Sequence, residues 1–154
     1  MLSRKEFIKQ ISYSSLYFLL PFKDETMFKG IKTLQSPFSV EETMNRLVAF
    51  LQQHGATIYA RINQQEELAN IGQKILPIEI LMFGNPRAGG PLMALNPLSA
   101  LELPLKILVW EDEQKRCWVA FNEANYIKDR YNMPNALMAP LNLLPLINKV
   151  LAEE

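Results

Sequence analysis

The sequence predicts an α+β fold: a two-layer sandwich with one mainly antiparallel sheet and helices on one face. Two observations lead there. Segments with strand character and segments with a 3.6-residue apolar period follow one another in the order β-α-β-β-β-β-α, with short helices inserted. The chain has 154 residues, of which 49% are aliphatic or aromatic, enough for one real core and too few for two comfortable domains.

The first 26 residues read differently from the rest. Ser3-Arg4-Lys5 opens a basic start, and Ile11 to Phe22 is mostly apolar, closed by Pro21 and by Lys23-Asp24-Glu25. A basic region followed by a short apolar one is the order of an export signal. Ser-Arg-Lys-x-Phe-Ile-Lys is similar to the twin-arginine export consensus, with Lys5 in place of the second arginine. The run is too short to span a bilayer as a helix, and no small-x-small cleavage site follows. Residues 1–26 are therefore expected to be a signal-like or accessory segment, and residues 27–154 the single domain. The expected location is the periplasm or cell envelope; a cytoplasmic protein whose amphipathic N-terminus packs on the domain is the other reading.

Within the domain, Phe28 to Leu34 reads as a strand broken by Ser36-Pro37. Ser39 and Glu42 have the spacing of a capping box, and Val40, Met44, Leu47, Val48 and Leu51 then form one helical face. Gly55 stands where a helix stops. Thr57 to Ile62 alternates, with Ile58, Ala60 and Ile62 on one face and Thr57, Tyr59 and Arg61 on the other. Gln64 to Leu76 reads as a shorter helix ended by Pro77, with Gly72 as a place of close approach to the sheet.

Ile78 to Phe83 is apolar on both faces except at Glu79, which predicts a central strand. It stops at Gly84-Asn85-Pro86. Pro91 to Leu101 predicts one or two short helical turns, broken at Asn96-Pro97. Leu103 to Asp112 and Arg116 to Asn122 predict a hairpin around Glu113-Gln114-Lys115. Asn122 can cap a helix through Arg130 or Tyr131. A last helix falls within 140–152, with Leu144, Ile147, Val150 and Leu151 buried.

Composition excludes several function classes. Sixteen Lys and Arg balance sixteen Asp and Glu, so there is no basic footprint for nucleic acid. The lone Cys117 lies in an alternating run and reads as a small buried hydrophobe. The lone His54 precedes Gly55 at a helix end, where a partly cationic ring suits the dipole. No motif predicts a metal or cofactor site.

Phe83-Gly84-Asn85-Pro86-Arg87 with Gly89-Gly90-Pro91-Leu92-Met93, followed by Leu101-Glu102-Leu103-Pro104-Leu105-Lys106 and Val109-Trp110-Glu111, closely resembles the domain of unknown function 302 family. Gly72, Pro77, Phe121-Asn122 and Tyr126 fit the same pattern, so the resemblance runs from about Phe28 to about Tyr131. It departs where the family has Gly-Thr-Pro, here Gly89-Gly90-Pro91, and where it often has Tyr-Asn, here Phe121-Asn122. The resemblance implies a two-layer α+β fold and dimers, and no established activity.

The loop between Phe83 and Met93 carries the sharpest chemical expectation. Asn85 before a proline is pushed to extended backbone, Gly89 and Gly90 allow close approach, and Pro91 suits the first position of a helix. The amides of Leu92 and Met93 would then point outward beside Arg87, a place for a small carboxylate or phosphate. The candidate ligand-binding residues are thus Asn85, Arg87, Gly89, Gly90, Leu92 and Met93; a tight turn closed against the sheet is the plainer account. The alternative function is a small enzyme using Glu79 or Glu102 with Arg87 for acid-base chemistry. Against it stand an exposed strand face for Glu79 and an ion pair of Glu102 with Lys106 or Arg87. Trp110, Trp118, Tyr126 and Tyr131 read as groove, core or dimer interface. The preferred expectation is a non-enzymatic, homodimeric binding module.

Overall fold

The computed structural model describes residues 28–152. The signal-like segment up to Thr26 lies outside them. In chain order the elements are β1 Ile31–Ser36, α1 Val40–Gln53, β2 Thr57–Asn63, α2 Gln64–Ala69, β3 Ile78–Gly84, α3 Pro86–Leu95, a 3-10 turn at Pro97–Leu101, β4 Leu105–Glu111, β5 Cys117–Asn122, α4 Ala124–Tyr131, 3-10 turns at Asn135–Leu137 and Ala139–Leu141, and α5 Leu144–Leu151. The strands form one sheet in the order β1-β5-β4-β3-β2, and every neighbouring pair is antiparallel. The α+β sandwich is as expected. The middle strand is β4, however, and β3 lies one place in from the edge.

Strand alternation divides the sheet into two unlike faces. Leu81 and Phe83, Ile107 and Val109, and Val119 and Phe121 point to one side. There they meet Met44, Leu47 and Leu51 of α1, Ile127 of α4, and Ile147 and Val150 of α5 in a single core. The opposite positions are mostly apolar, at Ile62, Ile80, Met82, Leu108, Trp110 and Trp118, with Lys106 on β4 and Thr33 and Gln35 on β1 among them. None of these joins that core. Trp110 and Trp118 face each other across β4 and β5, with ring centroids 6.5 Å apart.

β2 departs from simple alternation. Ile58 pairs with Phe83, but Ala60 pairs with Met82, so Tyr59 is an extra residue that bulges from the strand. Ile58 therefore faces the helices while Ala60 and Ile62 face away, which corrects the expectation that all three share one side. The bulge also carries Arg61 onto the covered face, opposite Leu81. From there its Nε donates to Glu79 Oε2 at 2.6 Å and its Nη1 donates to Asn45 Oδ1 at 2.6 Å. Glu79 is thus buried under the helices and paired, not exposed on a free strand face.

Local signals explain most element ends. Ser39 Oγ accepts from the Glu42 amide at 3.2 Å, but the Glu42 carboxylate binds Arg46 Nε at 2.8 Å instead of reaching back. His54 ends α1 with Nδ1 2.7 Å from Phe50 O, its ring stacked on that of Phe50. α2 is half the expected length. Asn63 caps it, and Gly72 at φ +78° closes it with Gln73 N donating to Leu68 O and Gly72 N to Ala69 O. Gly72 is a helix stop; a Cβ there would meet nothing within 4 Å, so it marks no contact with the sheet. α4 begins after Glu123, because the Asn122 side chain is engaged elsewhere.

Cys117 is buried beside a pair of hydroxyls. Thr43 Oγ1 lies 2.7 Å from Ser36 Oγ and 3.7 Å from Cys117 Sγ. Burial pushes the thiol up, against the pull of those hydroxyls, so it stays protonated and unreactive as expected. At the β4–β5 hairpin, Asp112 is the organising group: its Oδ1 accepts from the Gln114 and Arg116 amides, and its Oδ2 from Arg116 Nε and Trp118 Nε1. Burial opposes its charge, but the hydrogen bonds from Trp118 and Arg116 outweigh that and hold the carboxyl below the usual aspartate range.

Two outcomes follow. Arg61→Met leaves Glu79 buried without its partner and should lower unfolding free energy in urea by about 2 kcal/mol. Adding Glu79→Met should recover most of that loss, since no charge is then stranded; an additive double variant would contradict the pairing. Asp112→Asn should be less stable than the parent at neutral pH. Because the folded-state pKa is depressed, this difference should be full above about 4, the ordinary aspartate value, shrink as pH falls below it, and vanish once pH passes the lower folded-state value.

Candidate functional site

The corner after β3 is built by Asn85. Its backbone is extended, as the following proline demands, and its side-chain Oδ1 accepts from Arg87 N at 2.9 Å. Asn85 O accepts from Ala88 N at 2.9 Å and Gly89 N at 3.0 Å. Pro86 occupies the first helical position, where its missing amide is not needed. The helix therefore starts at Pro86, five residues before the expected start at Pro91, and Pro91 lies inside it. This is a correction with a clear cause. Pro86 and Pro91 both suit a first helical position, but only Pro86 follows a capping asparagine, and the second Asn-Pro, Asn96-Pro97, starts the 3-10 turn.

The consequences for the six loop residues are specific. The first-turn amides of Arg87, Ala88 and Gly89 are taken by Asn85. Leu92 and Met93 lie in the body of α3; Leu92 is fully buried and Met93 is exposed. Gly89 is buried because a Cβ there would come within 3.2 Å of Leu103 Cδ1. Gly90 has open space around its Cα. An anion at this corner would have to be held by the exposed Arg87 side chain and not by backbone amides.

The two carboxylates do not share a pocket. Glu79 pairs with Val109 on β4, whereas Leu105 at the start of β4 pairs with Phe83. Four residues of strand, about 13 Å, thus separate Glu79 from the end of the sheet where Glu102 lies. Glu102 is held by groups that sequence reasoning did not assemble. Its Oε2 accepts from Asn122 Nδ2 at 3.0 Å and its Oε1 from the Tyr131 hydroxyl at 3.0 Å, with Arg130 Nη1 at 3.7 Å. Burial and this bond to Glu102 push the Tyr131 phenol up, so it remains a donor at neutral pH. Arg130 Nη1 also donates to the Tyr126 hydroxyl at 3.3 Å. Lys106, the expected partner of Glu102, donates to Pro104 O at 3.3 Å instead. Both Glu102 oxygens are satisfied, and the group clamps the 3-10 turn to β5 and α4. No hydrogen bond or ion pair among the described residues joins Arg87 to Glu79 or Glu102. A polar Asn122 ending an apolar strand was the sequence signal for this clamp.

Two surface hollows are present. One of about 390 Å³ lies among Lys32, Phe121, Glu123, Asn125, Met138 and Asn142. The first residues of α4 and α5, Ala124 and Leu144, also line it, and neither helix has a side-chain cap. Lys32 and Glu123 offer both signs of charge there, so it selects for neither. The other, of about 420 Å³, lies between α2 and the segment that follows it, at Asn63, Gln65, Gln73 and Lys74. Asn85, Arg87, Gly89 and Gly90 line neither. Among the described residues no group of three or more His, Cys, Asp and Glu is placed to hold a metal ion. No helix among them is long and apolar enough to cross a membrane.

Residues 32–150 match the family model described as Domain of unknown function DUF302. The chain belongs to the DUF302 family. A solved DUF302 protein, an uncharacterized conserved protein from Bacillus stearothermophilus, superposes with a TM-score of 0.67 over 80% of this chain and 97% of its own, at 21% identity. That likeness shows the fold. The DUF302 domain is also 30% identical over 104 residues to proteins named fluoride-specific ion channel FluC 1 from Brucella suis biovar 1 (strain 1330) and Brucella abortus biovar 1 (strain 9-941). These matches cover 68% of this chain but only 41% and 38% of those proteins. The chain thus spans about two fifths of the length of the curated relatives it matches.

If the Asn85 cap is what starts α3, Asn85→Ala should lower stability by about 1 kcal/mol in urea unfolding. The far-ultraviolet spectrum of the folded state should be unchanged. No loss of stability would mean that the helix is nucleated elsewhere.

Proposed function

We propose that this domain is a non-enzymatic interaction module that works as a homodimer through its uncovered sheet face. The observation that carries this reading is the apolar face formed by Ile62, Ile80, Met82, Leu108, Trp110 and Trp118, which stands outside the core. Strands here hold six or seven residues, and five lie side by side. At about 3.4 Å per residue and 4.8 Å per strand, the face measures roughly 500 Å² in plan. Two copies together reach the roughly 1,000 Å² above which interfaces become specific. A formal charge of zero removes long-range repulsion between copies. A matching segment that makes up two fifths of longer proteins fits a unit that operates beside other parts. The pairing of Glu79 with Arg61 and the filling of both Glu102 oxygens by Asn122 and Tyr131 argue against acid-base catalysis.

Light scattering on the purified protein should give twice the chain mass of 17.7 kDa. Leu108→Lys, in the middle of the face, should give the single-chain mass with an unchanged circular dichroism spectrum. A parent protein that stays monomeric at high concentration would remove the proposal.

A further inference from the structure

A second apolar surface lies away from the sheet face. No charged residue occurs between Arg87 and Glu102. Within that stretch Leu95 is 57% exposed, Leu98 65% and Leu101 71%, with Met93 at 39%. Leu98 and Leu101, three apart in the 3-10 turn, share one side, and Leu95, at the end of α3 just before it, adds a third exposed leucine to this surface, the ridge. The opposite side of the same segment is anchored: Leu92 and Ser99 are buried, and Asn96 Nδ2 donates to Tyr131 O at 3.4 Å. The ridge is thus held rigidly in water, which an isolated surface leucine would not require.

The described chain begins at the same end of the molecule. Glu123 N donates to Gly30 O at 2.8 Å, and the Tyr126 ring lies directly over Gly30. Tyr126 contacts Arg130, which pairs with Glu102, the residue after Leu101. Ile31 pairs with Asn122, whose side chain also holds Glu102. Phe28 is 51% exposed and Ile31 41%, so exposed apolar side chains also stand at the point where the described chain enters the domain.

We propose that this ridge is the docking surface for the chain's own apolar run, Ile11–Phe22. Two facts favour that occupant over others. The run supplies Ile11, Leu16, Phe18, Leu19, Leu20 and Phe22 with no charge among its members. The six residues from Phe22 to Phe28 reach about 20 Å when extended, enough to bring the run back onto the ridge beside Glu102. The occupant is thus tethered at the site, and its effective concentration there far exceeds that of any free partner.

The test uses the full chain with Leu19→Cys carrying a nitroxide label; the native Cys117 is buried and protonated and does not take the label. At low protein concentration, the methyl signals of Leu95, Leu98 and Leu101 should lose most of their intensity, while that of Ile71, exposed on a distant loop, should not. Diluting the labelled chain into unlabelled, isotope-enriched chain should abolish the loss, since the contact is within one molecule. A loss that persists in the mixture would overturn the proposal in favour of a second copy on the ridge. Equal intensities at Leu98 and Ile71 would overturn it outright. A loss that appears only when vesicles of phosphatidylcholine and phosphatidylglycerol are added would overturn it in favour of a lipid surface. Leu98→Asp, which leaves buried positions untouched, should reduce the effect of the label at Leu95 and Leu101.

Discussion

Everything in this domain follows from the burial of one sheet face only. Five antiparallel strands alternate, and the positions that point one way meet every packed helix. Leu81, Ile107 and Val119 are completely buried on that side, as are Met44, Leu47 and Ile147 across from them. A sheet of this size can be closed by a single helical layer. On β3 and β4 the opposite positions are Ile78, Ile80, Met82, Leu108 and Trp110, with Lys106 among them, so the face without helices is mostly apolar.

The polar groups that could have carried chemistry are instead spent on joining elements. Glu79 is reached by Arg61 because of one inserted residue in β2, and Arg61 in turn fastens Asn45 of α1. Glu102 draws together three elements through Asn122, Tyr131 and Arg130. Asp112 organises the hairpin through the Gln114 and Arg116 amides and the Trp118 indole. Glu102 and Asp112 sit where the chain changes direction, with both oxygens held by neighbours, while Glu79 lies within β3 and ties that strand to β2. Such groups rigidify a fold and leave little capacity for a proton in transit.

How much of this was legible in the sequence can be judged residue by residue. Ser39 and Gly55 marked the ends of α1 because both act through their own backbone neighbourhood. Of the strands, β2 and β5 were visible from alternation, and β3 and β4 from runs apolar on both faces. The start of α3 was misplaced because Pro91 obeys the same N-terminal preference as Pro86, and only the Asn85 cap, six residues before Pro91, breaks the tie. The bulge at Tyr59 was invisible, since Thr57 to Ile62 alternates without a flaw and nothing local says that one residue is skipped. The partners of Glu79 and Glu102 depend on register between strands and on where α4 packs, which no short window of sequence contains. The six residues Asn85, Arg87, Gly89, Gly90, Leu92 and Met93 lie close together as the motif implied, but their amides are committed to the helix.

The bulge has a further consequence for how copies of this chain meet. β1 and β2 are the two rims of the sheet, and each carries backbone groups that could recruit a foreign strand. Tyr59 breaks the regular spacing along the β2 rim, so an incoming strand cannot match its hydrogen-bonding pattern there. Only β1 offers an uninterrupted rim. Strand-by-strand polymerisation needs two compatible rims per molecule, and this chain has one. A β2 rim interrupted in this way disfavours fibrous growth by strand addition.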